Sequence, residues 1–597
     1  MKTRRWRVAL ATAFLAALVG CGTPPAAAPP APEAASARVD KPGWTARHAM
    51  VSAANPLAAE AGARMLRAGG SAIDAAVAVQ MVLTLVEPQS SGIGGGLFLM
   101  HHDGQRVQAF DGRETAPAAA TPDQFLKGGR PMAFHAAVVG GLSVGVPGVL
   151  RALELAHRQH GRLPWRALFQ PAIALAEQGF EISPRLATLL AQPSARGLLN
   201  DPQAAAYFFD ADGAPRQAGT VLRNRALAAT LRAVAEGGAA ALYDGEMAHA
   251  VVARVRGHAT NPGRLAAADL AGYHALERAP LCFAYRLWRL CGMPPPSSGA
   301  LAIGQMLGML EHLGVAAEKP VPRSFGLEAS PRAVHLFAEA GRLAFADRAR
   351  YVADPAFAPL PGGDATALLA PHYLRARAAL IGECSMGRAE AGVPRAVTAA
   401  WADDRSAELP STSHVSIADA HGHVLAMTTS IENAFGAQIM VGGFLLNNQL
   451  TDFSFVPAEN GRAVANRVEP GKRPRSSMSP MLVFERASGR LVMSLGSPGG
   501  SAIVNYVAKA LVGTLDWGLD LQQAVALPNF GSRNGPTELE VDFVSPALIS
   551  ALRARGHTLR LQPQTSGLQG IERVQWEGEP AWFGAADPRR EGVAFGW

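Results

Sequence analysis

The sequence predicts a large α+β protein, helical over much of its first two thirds and built from short strands after about Ser411. Three observations carry this. Of 597 residues, 49% are hydrophobic and 17% charged, a balance that buries a sizeable core and excludes a chain disordered as a whole. Between Pro147 and about Leu380 the apolar residues recur mostly at helical spacing. After Ser411 the segments HVSIAD, VLAMTTSI, GGFLLNN, MLVFE and RLVMSLGS read as short strands between turn residues, and a helix, SAIVNYVAKALVGTL, follows SPGG.

At the N-terminus, MKTRRWR precedes the apolar run VALATAFLAALV, then Gly20 and Cys21. This is too short to span a bilayer and reads as a signal peptide over residues 1–20. The run LVGC, Leu18 to Cys21, resembles a bacterial lipobox in which Cys21 becomes the lipidated N-terminus; an ordinary signal peptide with an incidental Cys is the alternative. Residues 21–45 are rich in Pro and Ala without apolar periodicity, as in an extended tether, so the folded body is expected from about Ala46. Other apolar runs are short or broken by Gly, Pro or charge. Membrane attachment is therefore expected through the lipid alone, on the periplasmic side of a bacterial cell envelope. The net charge of +7, from 55 Lys+Arg against 48 Asp+Glu, is scattered beyond the first residues. No nucleic-acid module is visible, and no nucleic-acid partner is expected.

Asn55 is placed to cap a first helix with Pro56 at its first position, Gly69 and Gly70 end it, and Ser71 with Asp74 opens a second. The second is apolar on nearly every face and should be buried. It leads into SSGIGGGLFLM, a glycine turn entering a strand, without the order or the Lys of a phosphate loop. Four Cys are too few for a disulfide scaffold, and none has zinc-site spacing. With Arg286 and Leu287 as a two-residue turn, Cys282 and Cys291 stand opposite each other in a hairpin. That placement suits a disulfide in an oxidising compartment and equally suits two buried thiols. Pro394 to Pro410 is polar and proline-bounded, an expected exposed linker running into Ser411 and Thr412.

The next segment, LPSTSHVSIADAHGHVLAMTTS, sets a hydroxyl cluster at the start of a strand. If Asp419 to Gly422 form a type I turn with Gly422 left-handed, Asp419 pairs with His423 and Thr412 falls opposite Ser430. Two facing hydroxyls suit a nucleophile and a group that orients it, although a Thr-Ser pair is also ordinary in sheets.

The run STSHVSIADAHGHVLAMTTSIENAFG, with GGFLLNNQLTDFS, KRPRSSMSPMLVF and GSPGGS, resembles the γ-glutamyltransferase family. The resemblance extends upstream through NPLAAEAG, FDGRETAP and MPPPSSG and downstream to AADPRREGVAFGW, in family order and over essentially everything after the tether. It implies an N-terminal nucleophile hydrolase with a four-layer αββα sandwich and a helical periphery. It also implies self-cleavage between Ser411 and Thr412 into a large subunit, 46–411, and a small catalytic subunit, 412–597, held together as a heterodimer. Thr412 would be the nucleophile, Ser430 its orienting hydroxyl, and Gly499 and Gly500 the oxyanion donors. Arg113, Ser476 and Ser477 would receive the carboxylate of a small-molecule γ-glutamyl substrate, and Gln449 and Asp452 its ammonium. No metal or organic cofactor is implied. Two departures stand out. Ser430 and Glu432 occupy positions where the family commonly has Thr and Asn, and the stretch between Asp452 and Ser476 lacks Tyr, like lidless members. Lidless relatives include glutaryl-cephalosporin acylases, the alternative enzyme reading; an inactive binding lipoprotein is the non-enzyme alternative.

Overall fold

Alternation along the strand Gly96–His102 shows how the layers are built: Leu97 and Leu99 enter one hydrophobic cluster, Phe98 and Met100 another. Both faces are dry, so this strand is central to a stack. The computed structural model describes residues 38–395, 400–406 and 411–597. The expected signal peptide, the expected lipobox with Cys21, most of the expected tether and parts of the linker before Ser411 lie outside the described residues.

The strands that make the two large sheets are β1 (Trp44–Ala46), β2 (Met50–Ala53), β3 (Gly96–His102), β4 (Val107–Gly112), β5 (Leu276–Arg278), β6 (Leu281–Tyr285) and β7 (Trp288–Gly292). They continue with β8 (Ser413–Ala418), β9 (Val424–Ser430), β10 (Met481–Glu485), β11 (Leu491–Gly496), β12 (Gln569–Trp576), β13 (Glu579–Ala586) and β14 (Val593–Gly596). Pairing is antiparallel throughout. One seven-stranded sheet runs β14-β2-β8-β9-β3-β4-β5, the other β1-β13-β12-β11-β10-β7-β6. Helices α1 (Pro56–Arg67), α2 (Ala72–Val86) and α3 (Val149–His160) cover the first sheet; α4 (Gly299–Leu313), α5 (Pro331–Tyr351) and α6 (Ile503–Leu515) lie on the side of the second. The result is the expected αββα sandwich.

Local chemistry accounts for the element ends. Asn55 Oδ1 accepts the Leu57 N–H, and Ser71 with Asp74 forms a capping box that starts α2, every residue of which is buried. Between the sheets, Ser494 Oγ donates to the Leu425 carbonyl at 2.8 Å and Ser52 Oγ to the Ala585 carbonyl at 2.7 Å. These bonds fix the sheets' relative register, which dispersion alone leaves free to slide.

Two expectations are corrected. The packed chain starts by Arg38 rather than Ala46: Val39 N–H bonds the Pro588 carbonyl at 2.8 Å, Lys41 Nζ reaches the Asp587 and Arg590 carbonyls at 2.9 and 2.6 Å, and β1 pairs with β13. A three-residue edge strand is too short to leave a periodic signal. The linker before Ser411 is likewise pinned where it is described, because buried Asp404 pairs with Arg475 at 2.9 Å and accepts from Asn466 Nδ2 at 2.9 Å. Its polar text hides a buried ion pair. In the β6–β7 hairpin Cys282 faces Cys291, and the two are joined as a disulfide.

Candidate active site

The β8–β9 hairpin has the register read from its turn. Asp419 N–H donates to the His423 carbonyl at 3.0 Å, Gly422 has φ +85, and Ser413 pairs with Thr429, so Thr412 stands opposite Ser430. The left-handed turn residue has no Cβ, hence no steric cost. Asp419 also accepts the Ala72 N–H, which ties the turn to the start of α2. The hairpin is thus fixed at both ends before any chemistry occurs.

At its open end Thr412 Oγ1 lies 2.6 Å from the Ser411 carbonyl oxygen and 3.3 Å from Ser430 Oγ. Ser430 Oγ accepts the Glu432 N–H at 2.8 Å, which directs its own proton to the Ser411 carbonyl oxygen, also at 2.8 Å. One carbonyl therefore has a hydroxyl oxygen beside it and a donor on its oxygen. Ser411 Oγ donates to the Gln89 carbonyl at 2.6 Å, and Arg590 Nη1 to the Thr412 carbonyl at 3.3 Å. Behind the strand, Ser413 Oγ donates to Glu87, whose carboxyl is pushed up by burial and pulled back by Arg185 at 3.0 Å.

A pocket in front of Thr412 is lined by Ser411, Ser430, Glu432, Gln449, Asp452, Ser476, Ser477 and Gly500, all singled out in the sequence. Met478 and Ile503 add apolar wall that was not anticipated. Arg113 and Gly499 stand one layer back. Arg113 is fully buried, its Nη2 on Asp452 and on the Arg475 carbonyl at 2.8 Å, its Nε on the Pro474 carbonyl at 3.1 Å. The neighbouring Glu114 is buried with neither oxygen hydrogen-bonded; burial raises its carboxyl to about 8 against the pull of Arg113 at 3.6 Å. Glu114 is thus largely neutral at pH 7, and Asp452 is the carboxylate Arg113 engages.

Glu432 has φ +77 and is 4% exposed, with Oε2 accepting from Asn448 Nδ2. A left-handed Glu costs of order 1 kcal/mol, a strain of the kind that collects at functional sites. Gly499 (φ +136) precedes the turn Gly500–Ala502 that leads into α6, and a Cβ on it would meet the Tyr506 ring at 2.6 Å. Only glycine lets the chain enter that helix beside Tyr506. Sequence reasoning missed Gln89, Asn448, Arg590 and Arg348, whose Nη2 donates to Ser477 Oγ at 2.7 Å. Asn448 and Arg590 lie inside the quoted runs NNQLTDFS and AADPRREGVAFGW; Gln89 and Arg348 left no signal, because their partners are distant in sequence.

Residues 58–597 match the family profile described as gamma-glutamyltranspeptidase. The chain is 35% identical to the glutathione hydrolase proenzyme of Bacillus subtilis strain 168 over 99% of both chains. It is 37% identical to the acylase ACY 1 proenzyme of Pseudomonas sp. strain V22, over 94% of this chain and 96% of the other. The crystal structure of a cephalosporin acylase from Bacillus halodurans superposes with a TM-score of 0.79 at 26% identity, covering 96% of this chain and 99% of that one. A match over nearly the whole chain, together with the fold, means that the chain belongs to the γ-glutamyltranspeptidase family.

Proposed function

We infer that the chain is a proenzyme that cuts its own Ser411–Thr412 bond and then, as a two-subunit enzyme, removes γ-glutamyl groups from glutathione or related amides. The single observation that carries this reading is the pair of contacts on the Ser411 carbonyl, from Thr412 Oγ1 at 2.6 Å and Ser430 Oγ at 2.8 Å. Thr412 Oγ1 adds to the carbonyl carbon as its proton moves to the leaving nitrogen. The C–N bond breaks, leaving an ester of Ser411 on the Thr412 side chain and a free α-amine. Water cleaves the ester, giving the Ser411 carboxylate and restoring the hydroxyl. The new α-amine, with a pKa of about 7.7–8.0, takes the hydroxyl proton when the same oxygen attacks a substrate.

In turnover, Thr412 Oγ1 attacks the γ-carbonyl of the donor, and backbone N–H groups at Gly499 and Gly500 receive the oxyanion. The amine departs with a proton from the Thr412 α-amine. Water or an acceptor amine then releases the γ-glutamyl ester. The donor's amino-acid end is a zwitterion; Asp452 lines the pocket for its ammonium, with Arg113 paired to it from behind. Ser476 and Ser477 add hydroxyl donors to the carboxylate. Glu432 and Gln449 face the ammonium.

A glutaryl acylase is the competing reading, and Glu432 with Asp452 weighs against it. Glu432 adds a second carboxylate beside the Arg113-paired Asp452 in one pocket, and a glutaryl group brings no ammonium to meet it. The test compares γ-glutamyl and glutaryl anilides with wild type and Glu432→Gln. Loss of a charge-assisted contact worth about 1.5–3 kcal/mol lowers kcat/KM for the γ-glutamyl donor roughly ten- to a hundredfold and spares the glutaryl one. Improved γ-glutamyl turnover in Glu432→Gln would replace this reading with the acylase one. Cys21, with the lipobox around it, supports attachment to the periplasmic face of a membrane by lipid; no helix of the described residues is long and apolar enough to cross one.

A further inference from the structure

Arg113 is committed to Asp452 and to two backbone carbonyls, so a carboxylate entering the pocket is met first by the hydroxyls of Ser476 and Ser477. A hydroxyl helps an anion only when its single proton is aimed at it, because its lone pairs repel the charge. In both serines that aim is set from behind. Ser476 Oγ accepts the Met478 N–H at 3.1 Å, and Ser477 Oγ accepts from Arg348 Nη2 at 2.7 Å. A guanidinium offers no acceptor, so the Ser477 proton points away from Arg348.

Arg348 lies in the last turn of α5, is 6% exposed, and stands behind the pocket wall rather than in it. Its Nε donates to Ser298 Oγ at 2.8 Å. Ser298, just before α4, passes two bonds on to the Ser476 carbonyl, from Oγ and from its N–H, each at 2.8 Å. One planar fork thus holds both serines, Ser477 by its hydroxyl and Ser476 by its backbone through Ser298. The Arg348 carbonyl in turn accepts from Arg475 Nη1 at 3.4 Å, which ties the same turn of α5 to the residue before the serines.

We propose that Arg348 is a positioning residue for the carboxylate end of the substrate: it turns the Ser477 hydroxyl proton into the pocket and strengthens that donor without touching the substrate. A charged donor on Oγ polarises the O–H bond, so two hydrogen bonds in series reinforce each other. With both links at ordinary length, the guanidinium nitrogen comes to stand roughly 5 Å from the carboxylate oxygen, close enough to act on its charge in a buried setting. The pocket also carries Glu432 and Asp452, which repel a third carboxylate. The cation behind Ser477 therefore decides at which end of the pocket the substrate's carboxylate sits. The inference rests on the reading of Ser476 and Ser477 as donors to that group. It does not depend on the preferred acyl group, since γ-glutamyl and glutaryl groups both end in a carboxylate.

Four anilides test it: the γ-glutamyl and glutaryl compounds, and each of these with its carboxylate replaced by a carboxamide. Rates are normalised to the 412–597 fragment on a denaturing gel, so that any difference in self-cleavage drops out. Wild type should favour each carboxylate over its carboxamide. In Arg348→Met, KM for the carboxylates should rise about tenfold or more at nearly unchanged kcat, while the carboxamides move by less than about twofold. Arg348→Lys keeps the charge and a donor but has no planar fork to hold Ser298 and Ser477 together, so its KM should fall between the two. In a Ser477→Ala background, adding Arg348→Met should change KM far less than it does in wild type, because the two act through one contact. If Arg348→Met does not fold, Arg348→Lys carries the same comparisons.

Equal losses for carboxylate and carboxamide donors would reduce Arg348 to a structural role, and fully additive losses with Ser477→Ala would place its action elsewhere. Either result overturns the proposal, as does a wild type indifferent to the carboxylate. Turnover of glutaryl donors alone would sink the γ-glutamyl reading, and the glutaryl pair would still decide the role of Arg348.

Discussion

Removing one oxygen atom tests the self-cleavage geometry most directly. In Ser430→Ala the Ser411 carbonyl loses the donor that sits 2.8 Å from its oxygen, at the place where negative charge develops as Thr412 adds. Deleting one such donor in an acyl-transfer site costs about 2.7–4 kcal/mol of barrier, roughly a hundred- to a thousandfold in rate. The ground state changes too, since the buried Glu432 N–H loses its acceptor. That penalty destabilises the precursor and, if anything, speeds the cut, so the lower end of the range is the safer expectation. Precursor made by cell-free translation is followed on a denaturing gel by the appearance of the 412–597 fragment, about 20 kDa of a 62.4 kDa chain. Wild type and Ser430→Thr should cut at comparable rates, Ser430→Ala about a hundredfold more slowly, and Thr412→Ala not at all. Ser430→Ala cutting at the wild-type rate would refute the assignment of that hydroxyl to the oxyanion.

Arg113→Lys keeps the charge but loses the planar fork that reaches Asp452 and two carbonyls, so KM for a γ-glutamyl anilide should rise strongly while self-cleavage, which involves no such carboxylate, proceeds unchanged. Burial opposes the charge on both members of the Asp74–His157 pair, yet their mutual contact at 3.3 Å raises His157 above 6.5 and, with the N–H groups of Ser71, Arg162 and Leu163, holds Asp74 below 3.8. A raised His contributes stability that is full below its unfolded pKa and lost as pH climbs through the folded one; a depressed Asp contributes above its unfolded pKa and loses it as pH falls. The Tm penalty of His157→Gln should therefore peak between about pH 4 and 6.5 and shrink toward pH 8. Cys21→Ala should move the protein from the membrane to the soluble fraction, and persistence in the membrane would contradict the lipid tether.

Local rules carried far in this chain where a few adjacent residues settle the outcome. Asn55-Pro56 and Ser71 with Asp74 start helices because a side-chain oxygen answers an N–H two or three residues on. Asp419 to Gly422 set a turn whose register alone brings Thr412 to Ser430, since each step outward along two strands is forced.

Tertiary structure decided what distant residues do to one another. Arg113 was read as a carboxylate fork open to substrate; the fold sets it behind Asp452, because three segments, 111–113, 452 and 474–475, converge on one buried charge that needs several acceptors at once. Glu114, adjacent in sequence and chemically identical to any other Glu, becomes neutral near pH 7 only because that same packing strips it of water. The ordered arm at Arg38 to Ala46 depends on carbonyls at 587–592, more than 500 residues away. Sequence alone determined that Thr412 stands opposite Ser430, as these are neighbours on one hairpin. Which charges the pocket shows to a substrate was left to the fold, because desolvation and ion pairing are properties of what surrounds a group rather than of the group itself.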